Sequence, residues 1–253
     1  MRLQIKSIYI KKRKFPKFKI EYDKTNKIRP SWVYIKNPQK GMTFLSILFK
    51  GRTIRYFTYL PDYLFLPVNY SKEDIRKYYN KFSEYYDQDI RAAGDGQNIR
   101  AARFLIKKAL KYLKVDKKDA AVLDVGAGTG LAAEILVKEN FKDISLNDNS
   151  QKMLQKAKEK SNLKNCKFIC QDFVKFRSKN KFDLIISIFS LGIISYFGDK
   201  NEALYQNCKD LLNQNGIIVL LGHEITPEGF KTLENGRYKL NKHTIVNYYI
   251  RKK

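Results

Sequence analysis

Leu123-Asp124-Val125-Gly126-Ala127-Gly128-Thr129-Gly130 is the stretch that decides how this chain folds. The apolar run Ala120 to Val125 predicts a short buried strand, and Leu131 to Glu139 predicts a helix directly after it. Glycines at 126, 128 and 130 let the backbone turn sharply between the two and let a ligand approach atoms that side chains would otherwise shield. The spacing is G-x-G-x-G, one residue tighter than the G-x-G-x-x-G turn of dinucleotide-binding folds. Asp124, near the strand end, would repel a pyrophosphate but suits a ligand that carries ammonium or sulfonium groups.

Downstream, strand and helix alternate. Ile144 to Asn147, Lys167 to Cys170, Phe182 to Ile188 and Gly216 to Leu221 read as strands, with helices at Gln151 to Lys160 and Asn201 to Leu212. Arg237 to Leu240 and Thr244 to Ile250, joined by Asn241 to His243, read as a closing antiparallel hairpin. Apolar strands alternating with helices predict a doubly wound α/β fold of Rossmann-like type, with a mainly parallel sheet of seven strands covered on both faces. In such a sheet ligands bind at the carboxyl edge of the strands, where the glycine turn lies. Asp148 follows that turn by about 20 residues, the place at which a nucleoside ribose is held in dinucleotide folds.

Upstream, Ser71 is a candidate N-cap for a helix running toward Ile90, and Asn98 to Leu113 sets Ile99, Ala102, Leu105, Ile106, Ala109 and Leu113 on one face of a second helix. Residues 1 to 70 differ from the rest. Short β-rich runs, among them Trp32 to Ile35, are punctuated by Pro16, Pro30, Pro38, Gly41, Gly51 and Pro61, which predicts a small β-rich appendage before a Rossmann-like domain spanning residues 71 to 253. Residues 1 to 80 hold 19 Lys or Arg against 5 Asp or Glu, and close to half of the aromatic side chains.

The stretch Val122 to Gly130 resembles the first motif of the class I S-adenosylmethionine-dependent methyltransferases, and the resemblance extends over about residues 78 to 222. It implies that S-adenosyl-L-methionine is the cofactor, cradled by Asp124, Gly126, Ala127, Gly128, Thr129 and Gly130. By the same resemblance Asp148, with Asn149 beside it, accepts hydrogen bonds from both ribose hydroxyls. Gln171-Asp172-Phe173 looks like the adenine site, where Asp172 accepts from the exocyclic amine and Phe173 or an apolar neighbour packs on the ring. Ser187 to Ser190 would lie beside the methionine end, and Tyr86, in a helix similar to one that folds over the cofactor, would contact its carboxylate. Asp183 reads as structural.

Sulfonium is already a good leaving group, so aligning acceptor, methyl carbon and sulfur while excluding water supplies most of the rate. A general base is needed only where the acceptor must lose a proton, and His223, just beyond the fifth strand, is the histidine placed for it. After the fourth strand the chain reads Ser187-Ile188-Phe189-Ser190-Leu191-Gly192, without the Pro-Pro-aromatic pattern of amino-methylating nucleic-acid enzymes. None of the three cysteines lies in a loop similar to that of the cytosine C5 enzymes. A small-molecule or lipid-like acceptor is the expectation, with a deep apolar pocket roofed by the aromatic appendage and the helix over residues 71 to 90. An RNA or protein methyltransferase using the basic N-terminal residues, and a non-catalytic binding protein of the same fold, are the alternatives.

The net charge of +25 would suit RNA or an anionic membrane surface. Lysines outnumber arginines 38 to 12, however, which a coding sequence rich in A and T produces whatever the function, so the charge by itself selects no partner. Cys166, Cys170 and Cys208 lack the spacing of a metal site or disulfide framework, so no metal is expected and a reducing cytoplasm fits. No stretch reaches the roughly 18 apolar residues of a membrane span.

Overall fold

The apolar strands of the sequence pair into one seven-stranded sheet, as seen in a computed structural model that describes residues 72–84, 86–92, 96–191, 201–222, 229–241 and 244–253 together with the backbone of six short strands before them. The chain forms two compact units, Met1–Tyr78 and Tyr79–Lys253. In the first, β1 (Arg2–Ile5) pairs antiparallel with β4 (Phe18–Glu21), β2 (Tyr9–Ile10) with β3 (Arg13–Lys14), and β5 (Thr43–Phe49) with β6 (Arg52–Thr58). The expected strand at Trp32 to Ile35 lies outside the described residues.

Helices α1 (Lys72–Phe82), α2 (Tyr86–Ala92) and α3 (Gln97–Ala109) precede the sheet. The single helix expected from Ser71 to Ile90 is therefore two. Ser83 donates its hydroxyl to the Asn80 carbonyl (2.9 Å) while its amide still bonds Tyr79, and this competing side-chain bond closes the helix there. α3 ends four residues before the expected Leu113, because Lys111 and Tyr112 donate to carbonyls only three residues back and tighten the last turn.

The sheet follows in the order β12-β13-β11-β10-β7-β8-β9, where β7 is Ala121–Val125, β8 Asp143–Asp148, β9 Lys167–Cys170, β10 Phe182–Ile188, β11 Leu212–Leu221, β12 Lys231–Asn241 and β13 Thr244–Lys252. β7 to β11 are mutually parallel, and β13 runs antiparallel between β11 and β12. The helices α4 (Leu131–Lys138), α5 (Gln151–Lys158) and α6 (Asn201–Leu211) connect the strands. Ser150 caps α5, accepting the Met153 amide at 3.2 Å.

Alternation along each strand builds a core on both faces. Val122, Leu184, Ile186, Ile217 and Val219 join Leu105 and Ile106 of α3 and Leu136 of α4, while Leu123, Val125, Ile185 and Leu220 join Phe173, Phe176 and Leu204. β12 is much longer than the expected Arg237 to Leu240. Its apolar signal is broken at Gly236, where a side chain would stand 2.8 Å from the Tyr248 hydroxyl, so the ring of the neighbouring strand supplies the cover that the glycine lacks.

The chain departs from β7 first toward β8 and β9 and then returns to the other side at β10, so the order reverses between β7 and β10. That switch point opens a crevice at the carboxyl edge. The opposite edge is tied by Asp183, whose carboxylate accepts the Ala121 amide (3.0 Å) and the Asn213 side-chain amide (2.6 Å), a structural role. Asp183→Ala should therefore lower unfolding free energy by about 1–3 kcal/mol in urea titrations without perturbing the glycine turn; an unchanged midpoint would deny it that role.

Candidate functional site

Strand β7 delivers Asp124 to the carboxyl edge, and the chain then turns through Gly126, Gly128 and Gly130, whose φ values are 68°, 56° and 80°. At Gly126 both constraints on glycine apply, since the φ is left-handed and a side chain there would stand 2.6 Å from Ser190 Oγ. The turn is held from below by β8. Asn147 accepts the Gly126 and Ala127 amides on its carbonyl (2.8 and 3.0 Å), and its buried side-chain amide donates to the carbonyls of Ile169 (3.2 Å) and Gln171 (2.9 Å). One residue thus fastens the glycine turn, β8 and the end of β9 together.

Asp148 points into the turn. Its Oδ2 accepts the Gly128 amide at 2.8 Å and its Oδ1 the Ser150 amide at 2.7 Å. Burial raises its carboxyl pKa, partly offset by backbone bonds from Ser150, Gly128 and Asn149. Asp124 is only 2 % exposed, and its Oδ2 has no hydrogen-bond partner. Burial, and then the charge of Asp148, push it up to about 7 from the ordinary 3.8. Two carboxylates facing one crevice, one of them with a bare buried oxygen, make a site that favours a cation.

Tyr86 of α2 closes over this pair. Its ring edge is 3.8 Å from the position of a first side-chain carbon at Gly128, and it packs edge-on against Phe82 at 5.3 Å. Burial first, then Tyr79, Asp148, Asp87 and Asp124, raise its phenol far above the ordinary range, so it stays neutral and able to donate. Asn80, Glu84, Asp87 and Arg91 fasten the segment, Glu84 by pairing with Lys156 (2.9 Å) and Arg91 with Glu134 (3.5 Å). Asn80 accepts from the Ser150 hydroxyl (2.7 Å) and the Lys152 amide (3.3 Å), on the wall that carries Asp148. Asp87 accepts from the Thr129 hydroxyl and pairs with Lys160 at 2.7 Å, on the wall formed by the glycine turn and α5.

The remaining expected residues divide between the rim and the layer beneath it. Asn149 and Gln171 are exposed, and Gln171 donates to the Lys175 carbonyl at 3.3 Å. Asp172 accepts the Val174 amide at 3.0 Å. Phe173 is buried beside Phe176, with ring centroids 6.5 Å apart, and belongs to the core beneath the edge. Ser187 is buried, its hydroxyl 2.6 Å from that of Ser190 and accepting the Leu191 amide at 3.0 Å, while Ser190 donates to the Val125 carbonyl. His223 lies outside the described residues, as do the side chains of the aromatic appendage expected over the pocket, while the helical part of that roof corresponds to α1 and α2.

Sequence reasoning missed Asn80, Asn147 and Phe189. An asparagine within an apolar strand signals a buried hydrogen-bond hub, which is what Asn147 is. Phe189 has φ 62°, a left-handed conformation that a bulky residue adopts only under constraint, and its ring lies over Gly222 at the ends of β10 and β11. No metal-binding cluster of His, Cys, Asp and Glu occurs among the described residues, and no helix among them is long and apolar enough to cross a membrane.

A mainly parallel seven-stranded sheet, a G-x-G-x-G turn at its switch point and an acidic residue ending the second strand define a class I S-adenosylmethionine-dependent methyltransferase fold. Residues 116–246 match the family described as a methyltransferase domain, and the chain belongs to that family. Malonyl-[acyl-carrier protein] O-methyltransferase of Priestia megaterium is 28% identical over 118 residues, 46% of this chain and 40% of that protein, so the chain spans well under half of that curated relative. Magnesium protoporphyrin IX methyltransferase from Synechocystis PCC 6803, solved with bound S-adenosylmethionine, superposes with a TM-score of 0.57 at 15% identity, covering 72% of this chain and 96% of that one. The 1,6-didemethyltoxoflavin-N1-methyltransferase of Burkholderia thailandensis, solved with its acceptor and S-adenosylhomocysteine, gives 0.54 at 13% identity, covering 87% and 98%. At these identities the solved structures share the fold.

The raised pKa of Asp124 sets a pH dependence with a definite sign. The folded protein holds this proton up to about pH 7, whereas the unfolded chain releases it near 3.8, so the contribution is favourable at low pH and is lost as pH rises between those values. Asp124→Asn should remove that fall and leave the variant more stable than the parent at pH 8, by about 1–3 kcal/mol in urea titrations. Parallel pH profiles for the two proteins would rule it out.

Proposed function

We propose that this protein transfers the methyl group of S-adenosyl-L-methionine to a small-molecule or lipid-like acceptor. The observation that carries the cofactor assignment is the bare Asp124 oxygen beside the Asp148 carboxylate, a buried negative site next to a turn that brings backbone close to a ligand. The cofactor supplies an activated methyl on a sulfonium. Asp124 offsets the positive charge of its methionine portion, and Asp148, already oriented by the Gly128 amide, retains lone pairs for the ribose hydroxyls. Asp172 lies at the end of β9 for the adenine amine. Phe173 forms the floor beneath that position, leaving a half-buried neighbour such as Val174 to cover the ring.

Tyr86, kept neutral by its surroundings, donates to the cofactor carboxylate and shuts water out of the crevice. Ser187 and Ser190 act through each other, holding the strand end of β10 against Val125 so that the methyl-bearing side of the crevice keeps its shape. His223 serves as the base if the acceptor carries a proton that must leave. The small-molecule reading is favoured by the motif after β10 and by the named activities of the relatives, which act on malonyl-[acyl-carrier protein], magnesium protoporphyrin IX and 1,6-didemethyltoxoflavin.

Calorimetry with S-adenosylmethionine tests the cofactor site. Asp148→Ala should weaken binding at least about tenfold, with the loss of two hydroxyl contacts; unchanged affinity would sink the ribose assignment. Tyr86→Phe should raise the KM for the cofactor several-fold and Tyr86→Ala more. For the acceptor, labelled methyl incubated with fractionated cell extract should enter the small-molecule or lipid pool, and label confined to RNA or protein would reject that acceptor class.

A further inference from the structure

Helix α3 buries Ala101, Ala102, Leu105, Ile106 and Ala109 against the sheet and turns its other side to solvent. From Gln97 to Val115 the chain has no acidic residue but carries Arg100, Arg103, Lys107, Lys108, Lys111 and Lys114. Lys108 faces inward, donating to Glu234 with its ammonium 5.2 Å from the Phe104 ring centroid. Arg103, Lys107, Lys111 and Lys114 are exposed, spaced by four, four and three residues along the helix and the turns that continue it.

Several acids on neighbouring elements are already engaged, and Asp116, just beyond Lys114, accepts the Lys118 amide at 3.0 Å. Glu134 holds Lys160 and Arg91, Glu139 holds Lys117, and Glu234 holds Lys108. Among the described residues no acidic partner reaches Arg103, Lys107, Lys111 or Lys114. A row of like charges with nothing opposite costs stability, so its coherence calls for a partner outside the chain.

We infer that this row on α3 is a docking surface for the phosphate backbone of single-stranded RNA. Neighbouring cations at about 5–6 Å form a linear track, which a flexible strand can follow phosphate by phosphate. A membrane surface lacks its anchor, since the exposed large hydrophobic residues among those described are only Val115 and Ile245. A net charge of +25 and a pI near 9.8 add long-range attraction for the strand. The track belongs to the unit that holds the glycine turn, and its existence does not depend on which acceptor is methylated.

The test is fluorescence anisotropy of the full-length protein with a labelled 20-nucleotide oligouridylate across a salt series. Replacing Arg103, Lys107, Lys111 and Lys114 together by Gln should weaken binding at least about tenfold at low salt. It should also reduce the slope of log K against log salt by about 3, four phosphate contacts at roughly 0.7 each. A control with Lys138, Lys142, Lys164 and Lys179 changed to Gln, equal in charge but off the track, should lose less than about threefold. Glutamine preserves helix propensity, and thermal melts of both proteins report folding. If the fourfold variant melts early, the pair Lys107→Gln and Lys111→Gln should still cut the slope by about 1.4. Equal losses in track and control variants, no binding by the parent, or a selective loss for phosphatidylserine vesicles or an acidic peptide instead of RNA would each overturn the inference.

Discussion

Two carboxylates that repel one another are held at the carboxyl edge of this sheet, and the rest of the site is arranged around that repulsion. Asp148 is stabilised as an anion by backbone amides from the turn it faces, whereas Asp124, one strand away and fully enclosed, has none for its inner oxygen. The pair is an unbalanced charge in a low-dielectric place, where a positively charged ligand is worth more than in water. The fold tolerates it because the stabilising contacts lie elsewhere. Both sheet faces are packed with aliphatic and aromatic side chains, and the amino edge is closed by Asp183.

The glycine turn is rigid through its partners more than through itself. Asn147 receives its amides, Asp148 takes another, and Ser190 braces the strand before it. Such a network positions ligand-binding groups before any ligand arrives, so the cofactor need not order them on binding. Phe189, forced into a left-handed conformation at the end of β10, stores strain at the same edge, as functional sites commonly do.

The chain from Ala120 to Gly222 disclosed its architecture in sequence because each strand is an apolar run bounded by polar turns. The G-x-G-x-G spacing also pointed to a ligand edge before any coordinates. What stayed hidden depends on neighbours distant in sequence. The extent of β12 is invisible because Gly236 and its charged flanks look like a loop until Tyr248 is laid across them. The break after Phe82 turns on one serine hydroxyl, and the role of Asn147 on carbonyls more than twenty residues away. Phe173 carries the aromatic signal of an adenine neighbour, yet its ring is part of the core.

The segment around Tyr86 is gripped along its length, by Asn80 and Glu84 before the ring and by Asp87 and Arg91 after it. Release of one grip leaves the others in place, so the cover can loosen at one end without detaching. A molecule built this way can empty and refill its crevice while the sheet beneath stays assembled. Such traffic is metered by a few polar latches, which open far more readily than an apolar seam.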